Sequence, residues 1–212
     1  MIYDFPDEKA PIRQGDLFRT LPRVDISLNA IQAFKANDEV SEQSWDALVK
    51  SKGGKVEAVL SITPVFGIVI SQDCDTERAE DLSLCEVRDF GDVFPLAKDG
   101  DKTPKWWMKF VTGEARRNPK WFYLPPNARV FENRNAVDFF ATFRLSRNDL
   151  NSYRRYRIAT LNPVARLHFR ERISEFFRRY PYDEWYPLNP EEFKEYRSQK
   201  HYEDAKPFPW QE

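Results

Sequence analysis

Apolar side chains recur at every second position over much of this chain, the spacing of strands that turn one face to a core. Ile12-Arg13-Gln14-Gly15-Asp16-Leu17-Phe18 places a Gly-Asp turn at the start of a first strand, which Pro22 interrupts or assigns to a sheet edge. The alternation resumes in Val24-Asp25-Ile26-Ser27-Leu28. Lys55 to Leu60 and Phe66 to Ile70 follow as strands, with Thr63-Pro64 between them as a bend or edge position. Gly67-Ile68-Val69-Ile70 is nearly continuous in its apolar character, which predicts a central strand buried on both faces. Leu82 to Val87 alternates strictly, and the polar connection 75–81 predicts a hairpin joining it to the preceding strand. Strands are also predicted at Lys120–Leu124 and Ala128–Phe131, around Pro125-Pro126. The clearest half-buried strand carries Val137, Phe139, Ala141, Phe143 and Leu145, and Tyr153 to Leu161 supplies a last short one.

Helical spacing is confined to a few places. Asp38 to Lys52 predicts a short surface helix ended by Gly53-Gly54. Asn162-Pro163 reads as a helix start, a capping side chain followed by proline in the first turn. From there Ala165, Phe169, Ile173, Phe176, Phe177 and Tyr180 fall on one face, with His168, Glu171, Glu175, Arg178 and Arg179 opposite and Pro181 as the stop. A second small helix is expected from Pro190 to about Lys200. The expected architecture is therefore α+β or mainly β: a curved antiparallel sheet or SH3-like barrel with a helical insertion and a long C-terminal amphipathic helix. Residues 1–161 would form the β-rich core, with insertions at 37–54 and 91–120. Residues 162–212 would pack on it as a helix and a tail of prolines, acids and aromatics.

Composition supports a folded chain: 17 Phe among 212 residues supply enough apolar surface to offset the entropy of ordering. No run of about 18 apolar residues occurs, so no bilayer-spanning helix is expected, and the acidic N-terminus lacks a signal-peptide pattern. Both features predict a cytoplasmic protein. The net charge of −1 conceals three blocks. Residues 1–112 carry 14 Lys+Arg against 20 Asp+Glu, residues 113–180 carry 15 against 6, and residues 181–212 carry 4 against 8. All but one of the 15 basic residues in the middle block are Arg, whose planar fork suits carboxylate and phosphate alike. Another protein is the expected partner, with RNA or DNA as an alternative claimant on the arginines.

Candidate chemistry concentrates where the central strand ends, at Gln72-Asp73-Cys74-Asp75. Cys74 reads as a thiol nucleophile, although flanking carboxylates suppress the thiolate, or Asp73 and Asp75 read as a cation pair, although hard cations need more oxygen ligands. The structural alternative has Asp75 ending the strand in an Asx-type turn, Cys74 filling the core and Asp73 pairing with an arginine. If the chain is a hydrolase, Asp73, Asp75 and Arg88 are its catalytic candidates. Tyr153, Arg154, Arg155, Tyr156 and Arg157 read either as a phosphate-tracking ribbon with stacking rings or as internal partners for the acidic blocks. Gln72 and Cys74 join Tyr153 and those three arginines as binding candidates. Two cysteines without Cys-x-x-Cys spacing and two histidines, His168 and His201, predict no disulfide, no metal and no cofactor. Trp106-Trp107, Trp185, Tyr186, Phe208 and Trp210 are candidate partner anchors or core residues.

The pairing of Gly15-Asp16-Leu17-Phe18 with Gly67-Ile68-Val69-Ile70-Ser71-Gln72 resembles the opening of the PemK/MazF-like toxins, over residues 12–90 at most. The Ser-Gln-Asp-Cys-Asp ending is similar to that of uncharacterised bacterial and phage-borne proteins. The resemblance implies an SH3-like barrel, a bacterial or mobile-element setting of toxin-antitoxin or defence type, and contact with RNA or a cognate partner. It carries no catalytic set over, because the basic loop of the active toxins is missing before Val65. A binding module is the first expectation; an endoribonuclease-like hydrolase is the alternative.

Overall fold

A computed structural model describes residues 2–34, 39–52, 56–89 and 120–178, together with 194 and 198. The chain divides into units Met1–Phe177 and Arg178–Glu212, and the account below concerns the first. The expected excursion at 91–120, the tail aromatics and the helix near 190–200 lie outside the described residues.

Seven strands form one antiparallel sheet: β1 (Tyr3–Asp4), β2 (Asp16–Asp25), β6 (Ser61–Val69), β7 (Asp81–Asp89), β8 (Trp121–Leu124), β9 (Asn135–Ser146) and β10 (Arg157–Leu161). Their order across the sheet is β1-β10-β2-β6-β7-β9-β8, and every pairing is antiparallel. The sheet curls far enough for β1 to reach the segment that follows β8. Tyr3 of β1 donates its hydroxyl to the carbonyl of Pro125, just beyond β8, at 2.8 Å, and its ring meets Phe131 edge-on.

Between β2 and β6 the chain builds a smaller sheet, β4 (Val40–Gln43), β3 (Ile31–Phe34) and β5 (Ala58–Val59), with helix α1 (Trp45–Lys52). Ile31, Ala33 and Leu48 form its own small core. The inserted element is thus wider than 37–54 and begins where β2 ends. Helix α2 (Asp73–Arg78) sits inside the β6–β7 connection; α3 (Arg147–Ser152) and a single 3₁₀ turn (Arg154–Tyr156) separate β9 from β10; α4 (Pro163–Phe177) follows.

Alternation explains why the sheet has two apolar faces. On the inner face Leu17, Ile68, Cys85, Val87, Val137 and Phe139 pack against Ala165, Phe169 and Phe176 of α4. Phe139 lies 5.8 Å from Phe169 and 5.4 Å from Phe176, centroid to centroid, in tilted contacts worth more than their area alone. The opposite face gathers Ile12, Phe18, Leu21, Val69, Leu82 and Leu84 under Leu150 of α3. Burial on both sides accounts for the unbroken Ile68-Val69 run. The start of α4 is capped as its sequence predicts, Asn162 Oδ1 accepting from the Ala165 amide at 2.8 Å.

Two local expectations change, at residues 128–131 and at Phe177, and the alternative left open at Pro22 is resolved. Residues 128–131 form a turn closed by an isolated bridge between Asn127 and Phe131, because Pro125 and Pro126 remove two amides that a ladder would use. Of the two roles expected of Pro22, the edge one holds: it does not interrupt β2 but lies opposite Pro64 in the outer half of the β2–β6 pair, past the stretch where β10 pairs with β2. Phe177, assigned to the apolar face of α4, is exposed.

Candidate functional site

The end of the central strand is built from three pieces of chain. Gly15 adopts φ +89°, a left-handed conformation that glycine tolerates without a Cβ penalty, and hydrogen bonds on both sides hold it. Its amide donates to Val69 at 2.9 Å, and its carbonyl accepts from Leu161 at 3.0 Å. That turn delivers Gln14 into the gap between β6 and α4, where it is 2 % exposed. Gln14 Nε2 donates to the Ile70 carbonyl at 2.7 Å, and its backbone amide donates to Asp73 Oδ1 at 2.9 Å.

Arg170 closes the arrangement from α4. Its neighbour Phe169 is buried in the inner core, so the guanidinium is presented at the rim, one helical step around. Nε donates to Gln14 Oε1 at 2.7 Å, and Nη2 pairs with Asp73 Oδ2. Both carboxylate oxygens of Asp73 are therefore occupied, one by an amide and one by a guanidinium. Gln14, Ile70, Gln72, Asp73, Cys74, Arg170, Ile173 and Ser174 border a cleft of about 450 Å³.

The alternatives for Asp73-Cys74-Asp75 separate at this point. Asp73 pairs with an arginine, as the structural reading has it, and the partner is Arg170. Cys74 is exposed rather than packed in the core, and Asp75 lies in the first turn of α2 instead of closing a strand. The cause is α2 itself: Thr76 Oγ1 donates to the Asp73 carbonyl at 2.8 Å and the Thr76 amide to the Gln72 carbonyl at 3.0 Å, so the chain winds where an Asx turn was expected. Both cysteines are free; Cys85 is buried opposite Ile68, and its thiol is pushed up to about 12 by burial and, secondarily, by Asp138. Among the described residues, no group of three or more His, Cys, Asp or Glu is placed to hold a metal ion.

Arg88 stands at the other end of the same hairpin. Ile70 and Ser71 face Ser83, whereas Val87 faces Phe66, so Arg88 lies roughly 17 Å along β7 from the corner that holds Asp73. It belongs to a separate ionic cluster. Buried Glu86 accepts from Arg23 at 2.6 Å and Arg88 at 3.2 Å, and Arg88 approaches Asp138 at 3.6 Å. Hydrogen bonds to Asp25 and Glu86 hold the Arg23 guanidinium above its ordinary range. The three hydrolase candidates thus do not share one site.

The arginine ribbon is divided as well. Arg157 pairs with Asp16 at 2.8 Å, both side chains 2 % exposed, and donates to the carbonyls of Asp7, Ala10 and Pro11 at 2.7–3.0 Å. Arg154 binds Asn151 Oδ1 and the Lys9 carbonyl. Arg155 lies over the Tyr156 ring, which stacks on Tyr153 at 5.4 Å. Two of the three arginines tie down the N-terminal lead-in; Tyr153 and Arg155 remain at the surface, and Tyr156 is half-buried against the core under Leu150.

One surface the sequence reading did not single out is apolar. Pro22 and Val24 on one strand, and Ile62, Pro64 and Phe66 on the other, occupy even positions of the β2–β6 arm, and Ile26 and Leu60 continue the even row one residue beyond its last pair, Asp25 with Ser61. Val24 lies opposite Ile62, and every member of this row is exposed, Ile62 to 62 %. The intervening residues Arg23, Asp25, Ser61 and Thr63 turn to the other face. Period two from Ile68 outward was the available signal, obscured by starting the strand at Phe66; of the two roles expected of Thr63-Pro64, bend or edge, the edge position holds, since β7 pairs with β6 only over Phe66–Val69.

No protein-family model matches the chain, and no curated protein and no solved structure is significantly similar to it.

Proposed function

We propose that this protein is a non-enzymatic binding module that docks another protein on the apolar face of its β2–β6 arm. The observation carrying this reading is the exposed row from Pro22 to Phe66. The alternation that buries Ile68 in the core continues outward through Phe66, Pro64 and Ile62, and among the described residues no layer covers the last two. A contiguous apolar face of this kind is unfavourable in water and is a mark of an interaction surface. The row itself carries no charged side chain, and this suits a protein partner better than a phosphate backbone, which needs unpaired cations.

The fold assignment that accompanies this reading is an SH3-like barrel of PemK/MazF-like type. The curl that brings Tyr3 to Pro125 and the Gly15-Asp16 entry into β2 support it. A bacterial or phage setting of toxin-antitoxin or defence type goes with that resemblance, and a cytoplasmic location is proposed alongside it. The hydrolase alternative gains no support from the separation of Arg88 from Asp73.

A photo-crosslinking residue at position 62 and another at position 155 test the proposal in the native host. Position 62 is expected to give a discrete protein adduct that survives ribonuclease and disappears with Val24→Lys. An RNA adduct at position 155, with none at 62, would overturn it. Solution mass separates a second copy of this chain from a different protein as the partner.

A further inference from the structure

The cleft beside Arg170 has a property independent of the arm: part of its polar lining is fixed in place and unspent. A guanidinium offers five N–H groups in a rigid plane. In Arg170 the Nε side is occupied, Nε–H by Gln14 and one Nη2–H by Asp73. The end-on fork, formed by Nη1 and the second Nη2–H, has no acceptor among the described residues, and the side chain is 41 % exposed. Its orientation is not left to a flexible stem. Gln14, which anchors it, is itself buried and locked by the Ile70 carbonyl, so the fork is set before any ligand arrives.

The rest of the lining fits the same ligand. Ser174 follows Arg170 by one helical turn and borders the same cleft, its hydroxyl without a partner among the described residues. The Gln72 side-chain amide nitrogen, bordering the same cleft, likewise has no partner among the described residues. Ile70 and Ile173 provide an apolar flank between them. We infer that this cleft binds a free carboxylate group, held end-on by Arg170 and assisted by Ser174, with an adjoining amide reaching Gln72.

Charge selects the carboxylate over phosphate. Asp73 already balances Arg170, and Asp75 stands exposed two residues on, so a second full negative charge from a dianionic phosphate meets repulsion with no cation to offset it. A singly charged, planar oxyanion matches both the fork geometry and the remaining potential. Two sources share this chemistry: the C-terminus of a peptide and a small organic acid.

Cys74 gives the site a built-in reporter, since it borders the cleft and is the exposed member of the chain's two cysteines. The experiment follows Cys74 alkylation by a neutral maleimide in the full chain at constant ionic strength. The probes are N-acetyl-alanyl-leucine, its C-terminal carboxamide, propionate and inorganic phosphate. The free-acid dipeptide is expected to slow alkylation severalfold in the millimolar range accessible to one bidentate pair. The carboxamide and phosphate leave the rate unchanged. Propionate protecting equally identifies a small-acid site; weaker protection identifies a peptide terminus. Arg170→Lys keeps the charge but lacks the fork, and abolishes protection; Ser174→Ala, which removes no internal bond, weakens it. Equal rates with acid and carboxamide, protection by phosphate alone, or full protection in a folded Arg170→Lys protein would each overturn the inference. Failure of the arm to dock a protein leaves this result untouched, because no residue is shared.

Discussion

The guanidinium of Arg157 is buried against the carboxylate of Asp16 at 2.8 Å, at the point where β10 and β2 pair. The pair is completed by the carbonyls of Asp7, Ala10 and Pro11, so the charged groups that burial strips of water are hydrogen-bonded on most sides. Removing one partner leaves the other charged and dry. Arg157→Ala and Asp16→Ala are each expected to lose about 3–5 kcal/mol of stability, read from urea unfolding. Arg155→Ala, whose side chain is at the surface, is expected to stay within about 0.5 kcal/mol of wild type. Equal, small losses at both arginines would show that Arg157 is not structural.

Gly15 is expected to resist substitution for two separate reasons. At φ +89° any Cβ is strained, and an ideal Cβ there meets Leu161 Cβ at 3.2 Å. Gly15→Ala should cost about 1–2 kcal/mol, and Gly15→Asn, which tolerates the left-handed region better, should cost less on the strain component. Because the turn delivers Gln14 to Asp73 and Arg170, the Ala variant should also raise the alkylation rate of Cys74. A loss of stability with unchanged Cys74 reactivity would separate the turn from the cleft.

These two positions show what local pattern does and does not encode. Gly-Asp before an alternating run marks the entry to β2, and the Asn162-Pro163 cap marks the entry to α4, because both signals act within four residues. Asp73 pairing with some arginine follows from its charge. Choosing Arg170, 97 residues away, over the 19 other arginines requires knowing that α4 returns to the end of β6, which no local spacing records. The α2 turn was missed for the opposite reason. Asp73-Cys74-Asp75-Thr76 are weak helix formers, and their six-residue helix rests on the Thr76 bonds and tertiary context rather than propensity.

Cys85 gives the fold a directional dependence on alkaline pH. Its thiol titrates near 12 in the folded chain against an ordinary value of 9.0, chiefly because burial penalises the thiolate. The folded state therefore holds its proton where the unfolded state has released it. The stabilising contribution is complete below about pH 9 and declines as pH rises toward 12, by up to about 1.4 kcal/mol per pH unit. The Tyr3 hydroxyl, raised mainly by its burial, acts in the same direction at the upper end. Urea midpoints should fall from pH 9 to 11 in the wild type and fall less steeply in Cys85→Ala, after allowance for the smaller core side chain. Parallel slopes in the two proteins would assign the alkaline loss elsewhere.

The two aspartates of the strand end are expected to behave unequally, which distinguishes a structural corner from a catalytic pair. Asp73 accepts from the Gln14 amide and from Arg170, so Asp73→Asn weakens one charge-assisted bond and leaves a guanidinium without its counter-charge. A loss of about 1–3 kcal/mol follows. Asp75 is exposed in the first turn of a short helix, and Asp75→Asn should change stability by no more than about 0.5 kcal/mol. A hydrolase that used both carboxylates would lose its activity with either substitution, whatever the stability. Stability that divides between the two positions while RNA incubated with the wild-type chain stays intact is the outcome expected of a binding module. RNA cleavage abolished equally by both variants would return the corner to catalysis, and would require a cation other than Arg88, which its place on β7 holds at the opposite end of the hairpin.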